Sequence, residues 1–81
     1  MTYYLDRAKE NLARAEALKA IAEKIEDLIR DTRGNITFMQ EKVQEHQNDE
    51  YLLGYYTEEV AHQERILGHL EDLGDQLVRL G

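Results

Sequence analysis

The chain has no cysteine, no proline, no tryptophan and no serine in its 81 residues, and one phenylalanine, Phe38. Lack of cysteine excludes disulfides, thiolate metal sites and thiol nucleophiles, and fits a reducing compartment. Lack of proline leaves nothing in the chain that must break a helix. Lack of serine leaves Thr2, Thr32, Thr37 and Thr57 as the only aliphatic hydroxyls. No nucleophile elbow or glycine-rich phosphate loop is present, so hydrolase, kinase and dinucleotide-binding readings have no residues to rest on and no enzymatic activity is expected. Long hydrophobic runs are missing too. None approaches the roughly 18 residues needed to cross a bilayer, and the opening MTYYLDRAKE lacks the basic-then-apolar pattern of a signal peptide. A cytoplasmic protein without membrane contact is expected.

What is present is the composition of long helices: Ala, Leu, Glu, Gln, Lys and Arg dominate, all strong helix formers. The formal charge of −7 is unevenly placed. Residues 1–33 carry seven basic and seven acidic side chains, whereas residues 34–81 carry three and ten. An acidic surface repels phosphate backbones and anionic lipids, so direct nucleic-acid binding is disfavoured and a basic protein partner is better matched.

Apolar residues recur at helical period over two long stretches. The first runs through Leu5, Ala8, Leu12, Ala15, Leu18, Ala22, Ile25 and Ile29, widened by Ile21 and Leu28, with Thr2 as a possible N-cap. Its alanine-rich half is thin enough to lie close against a neighbour. The second has inner positions at Leu52, Tyr56, Glu59, Gln63, Ile66, Leu70, Leu73, Leu77 and Leu80, alternating three and four residues apart and widened by Leu53, Val60 and Leu67. That alternation is the seam of a long amphipathic helix. Between the stretches, Arg30 and Arg33 followed by Gly34 and Asn35 predict a helix end. Asn35, or Thr37 with Gln40, is placed to cap a short polar helix carrying Ile36, Met39 and Val43, which His46 would extend. A second break is expected near Gln47, with Asn48 or Asp49 capping the last helix. The reading is a single all-α domain over residues 1–81, a helical hairpin or three-helix bundle with helices near 3–32, 36–47 and 50–80. So small a chain has a marginal core, so association into a larger helical bundle, with the last helix as the self-association seam, is expected.

Three features bear on function. Tyr51, Tyr55 and Tyr56 cluster at the start of the last helix; tyrosine offers contact area with a polar tip and is enriched at interface centres. Tyr56 lies on the seam, which leaves Tyr51 and Tyr55, with the acidic Glu58, Glu64 and Glu71, as candidate partner-binding residues. Gly54, Ala61 and Gly68 share a heptad position and form a side-chain-poor strip that would admit a second backbone. Finally, Glu59 and His62 place a carboxylate three residues before an imidazole in the polar centre of the seam.

The segment EEVAHQERILGHL resembles a metal-binding helix of ferritin-like di-iron proteins, in which such a pair projects inward and is completed by glutamates from other helices. The resemblance covers about a dozen residues. It implies Glu59 and His62 as ligands of iron or zinc in an oligomer, with Glu23, Glu26, Glu41 or Glu45 as further donors. Read from residues alone, Glu59, His62 and Gln63 form a hydrogen-bonded polar layer or lie in solvent. The leading expectation is a small acidic helical protein that acts by protein–protein contact as an adaptor, an accessory subunit or an inhibitor. One version is of phage or mobile-element origin and targets a basic nucleic-acid-binding surface. The alternative is a miniature ferritin-like metal-binding protein.

Overall fold

The structure, a computed structural model, describes residues 2–80, with the side chain of Thr2 left aside; the cap expected of Thr2 lies outside the described residues. Two helices are present, α1 (Thr2–Glu45) and α2 (Glu50–Leu80). The hairpin form of the all-α reading therefore holds. The three-element form does not, because the expected helix end at Gly34–Asn35 is absent.

The reason is the seam. Leu18, Ala22, Ile25, Ile29, Thr32, Ile36, Met39, Val43 and His46 alternate four and three apart without a phase change, and each is at least half-buried. Helical continuity through Gly34 keeps both halves of this stripe on α2. Ending the helix there would turn Ile36, Met39 and Val43 away, a greater loss than the ~1 kcal/mol helix penalty of one glycine. Gly34 accordingly has no positive φ, which a left-handed cap would need. Thr37 does not cap a new helix: its Oγ1 donates to the Arg33 carbonyl at 3.1 Å within the continuous helix. Arg30 and Arg33 are mid-helix residues; Arg30 pairs with Asp27 at 3.2 Å.

The break before the last helix is real and short. The Asp49 amide donates to His46 O at 3.1 Å, and Asp49 Oδ1 accepts from the Leu52 amide at 3.1 Å. That is an N-cap bond, satisfying one of the orphan donors of the first turn. α2 then runs to Leu80 without interruption, through Gly74.

The helices pack antiparallel along their seams. Three marks give the register: the His46 ring stacks on Tyr56 with centroids 5.6 Å apart, Arg33 meets Glu71 at 3.6 Å, and a Cβ built on Gly74 would lie 3.9 Å from Ile25 Cγ2. Every expected seam position of α2 is half-buried except Leu73 and Leu80. The seam read as a self-association surface is thus occupied within the chain. Two helices can cover only one face of each other, and among the described residues no hydrophobic side chain is fully buried. The one buried residue among those described is Thr32, whose Oγ1 donates to Leu28 O at 2.7 Å and so satisfies itself within its own helix.

At 1.5 Å per residue α1 is about 66 Å long and α2 about 46 Å, and the molecule extends 73 × 15 × 13 Å. Because the hairpin is closed at residues 46–49, the excess length of α1 lies at its N-terminal end. Residues 3–17 run beyond α2 with every side chain exposed.

Candidate functional site

The two faces proposed for contact with other proteins lie on α2. Its first turns carry Tyr51, Tyr55 and Glu58, which with Glu50 line one shallow depression floored by Gly54. Tyr51 is 81% exposed and Tyr55 51%. The difference has a cause: Tyr55 leans edge-on against Tyr56, centroids 5.2 Å apart at 78°, and Tyr56 is held in turn by His46. Tyr55 is therefore braced by a ring stack anchored in the hairpin turn, whereas Tyr51 stands free at the rim. Edge-to-face geometry of this kind fixes ring orientation, so this end of the molecule presents a preset aromatic surface with two carboxylates beside it.

Glu64 and Glu71 do not join that patch. They lie six and thirteen residues beyond Glu58, which at about 100° per residue puts them roughly 120–140° around the helix. Glu71 faces the seam edge, where it meets Arg33 across the hairpin; both groups are at least half-exposed, so the pair is worth little. The five residues expected to form one surface are split between two edges of α2, three on one and two on the other. Heptad phase alone carried that information.

Glu59 is half-buried at the seam and His62 exposed beside it. Glu23, Glu26, Glu41 and Glu45 are on α1 and exposed; Glu45 is bonded to Lys42 at 3.1 Å. Among the described residues, no three His, Cys, Asp or Glu side chains gather to hold a metal. Within one chain the Glu59–His62 pair therefore has no third ligand. His46, expected to extend the stripe of Ile36, Met39 and Val43, does so, and its ring is engaged with Tyr56.

The strip of Gly54, Ala61 and Gly68 points to solvent: a Cβ placed on Gly54 or Gly68 meets nothing within 4 Å. Among the described residues no helix is long and apolar enough to cross a membrane. Sequence reasoning passed over one further feature, a groove along one edge of the hairpin, bordered by Glu26 of α1 and by Glu71 and Asp75 of α2. Its floor is Ala22, Ile25, Ile29, Gly74 and Leu77, and it encloses about 600 Å³. The small side chain of Ala22 on α1 and the missing one of Gly74 on α2 leave space along this edge. Their placement on one edge depends on the register and is not visible in either helix alone.

Compared with protein-family models, curated proteins and solved structures, the chain matches none significantly.

Proposed function

We propose that this protein acts by protein–protein contact, as an adaptor, accessory subunit or inhibitor that offers the Tyr51–Tyr55–Glu58 edge of α2 to a basic partner surface, including one that normally holds nucleic acid. The observation that carries the reading is the exposed tyrosine pair beside Glu50 and Glu58, of which Tyr55 is braced edge-on by Tyr56 and Tyr51 stands free. Aromatic anchors of fixed orientation lose little entropy on docking and dominate interface energetics. The charge supports the partner's sign: α2 holds seven carboxylates and two basic residues, a balance of 2 − 7 = −5. Glu64 and Glu71 on the second edge extend the field that would steer a basic partner. The same reading includes self-association.

The test is parallel affinity capture from cell extract with the wild-type chain, a Tyr51→Ala/Tyr55→Ala variant and a Glu58→Lys/Glu64→Lys/Glu71→Lys variant, followed by titration of the purified partner. Loss of at least about tenfold in affinity is expected for the tyrosine variant, since hot-spot truncations exceed about 1.4 kcal/mol. The charge variant should slow association and flatten its salt dependence. A partner that binds all three chains alike contradicts the reading.

A further inference from the structure

Residues 3–17 of α1 and the groove over Ala22 and Gly74 are complementary, and neither covers the other within one chain. The overhang exposes Leu5 at 63% and Leu12 at 60%, and the groove edge exposes Val78 at 80%. The other flank of the hairpin holds Ile21, Leu28 and Leu73, which are only 40–49% exposed. The larger uncovered apolar surface is thus on the overhang and the groove beside it.

We propose that a second copy of this chain docks antiparallel along α1, so that each copy inserts Leu12 of its overhang into the groove over Ala22 and Gly74 of the other. This gives a face to the self-association included in the proposed function. It is independent of partner recognition at the Tyr51 edge, which lies at the hairpin-turn end of α2.

Three observations fix the occupant and its register. First, Ala8, Ala15, Ala22 and Ile29 recur every seven residues on α1, and Ala22 and Ile29 line the groove. A two-fold axis between residues 15 and 22 sets Ala15 against Ala22 of the second copy and Ala8 against its Ile29. Alanine at these positions permits interaxial distances near the short end of the usual ~8–10 Å. Second, the same register carries Leu12 over Gly74, where a missing side chain leaves the hole. It carries Leu5 over Leu67 and Lys9 alongside Glu71. Lys9, bordering the leucine stripe, therefore meets Glu71 on the rim of the groove. Third, the paired lengths, from Leu5 to Thr32 on each copy, run roughly 40 Å. Stable pairs bury about 800 Å² per partner, which a strip this long reaches at a width of about 20 Å, that of the two adjacent helices bordering the groove. The two insertions are related by symmetry, so the interface closes and no filament is built.

The chain has no native cysteine, which makes cross-linking decisive. Ile25 is the α1 residue facing Gly74, and Leu12 lies thirteen residues before it, about 20 Å along the axis. A disulfide needs Cα atoms within about 7 Å, so a bond between cysteines at these two positions can form only between copies. Mixing the L12C and G74C chains under mild oxidation should give a covalent heterodimer in high yield, with little from either variant alone. By sedimentation equilibrium the wild type should be dimeric at low micromolar concentration. Leu12→Glu removes two insertions per dimer and should weaken association at least about a hundredfold, with Lys9→Glu weaker in the same direction. Circular dichroism at high concentration establishes that the variants remain helical. A wild type that is monomeric at 100 µM, or a dimer that ignores Leu12→Glu and forms no 12–74 cross-link, would overturn the proposal. Neither result would touch binding at Tyr51 and Tyr55.

Discussion

Replacing Gly34 with alanine is expected to stabilise the protein by about 1 kcal/mol. Gly34 is an interior residue of α1 with no positive φ, and a Cβ built there meets nothing within 4 Å. The methyl group enters solvent beside the helix without a clash. The gain then comes from two sources with the same sign: alanine's better helix propensity and the reduced freedom of the unfolded chain. For a domain of this size 1 kcal/mol moves the thermal midpoint by roughly 4–8 °C. The alternative architecture, with Gly34 as a left-handed cap ending a helix at Arg33, predicts the opposite sign, because alanine in that conformation is strained by about 1 kcal/mol. The assay is thermal and urea unfolding followed at 222 nm for wild type and Gly34→Ala at one protein concentration. A midpoint that falls by several degrees would refute a continuous α1. Gly34→Pro supplies the control: it removes an interior hydrogen bond and should destabilise by about 3 kcal/mol.

Asp49→Ala should lower stability by about 1 kcal/mol through loss of the bond from the Leu52 amide, while Asp49→Asn should recover most of it, both read by urea unfolding. Glu71→Lys should change stability by less than about 1 kcal/mol, because the pair it makes with Arg33 is well exposed; a larger loss would invalidate the triple charge reversal as a binding probe. Adding Fe²⁺ or Zn²⁺ should leave the thermal midpoint unchanged in wild type and in His62→Ala alike, since among the described residues of one chain Glu59 and His62 lack a third ligand; a rise that depends on His62 would favour a metal site shared between copies.

Much of the fold was readable from periodicity. The α2 seam, the Asp49 cap and the α1 stripe from Leu18 to Ile29 are all local patterns, and the structure carries them. Gly34 misled because two local signals, basic residues and then glycine, coincide where a helix end would have them. What decides the matter is non-local: Ile36, Met39 and Val43 stay in phase with Ile25 and Ile29, and that continuity has value only once α2 lies alongside. Thr32 was invisible for a similar reason, since a threonine on a seam is buried or exposed according to what faces it. At the candidate site, the grouping of Tyr51 with Tyr55 and Glu58 follows from helical spacing, as does the separation of Glu64 and Glu71. The bracing of Tyr55 through Tyr56 and His46, and the groove made by Ala22 and Gly74, arise from the hairpin register. No single segment contains them.

The central claim is that an open two-helix hairpin, with no fully buried hydrophobic side chain among its described residues, associates with copies of itself. It is tested most directly by the concentration dependence of thermal unfolding between about 1 and 100 µM. Anything that binds the folded state stabilises it by mass action. A self-associating chain should therefore show a midpoint that rises by several degrees across this range. A midpoint independent of concentration, with a solution mass of one chain throughout, would contradict it.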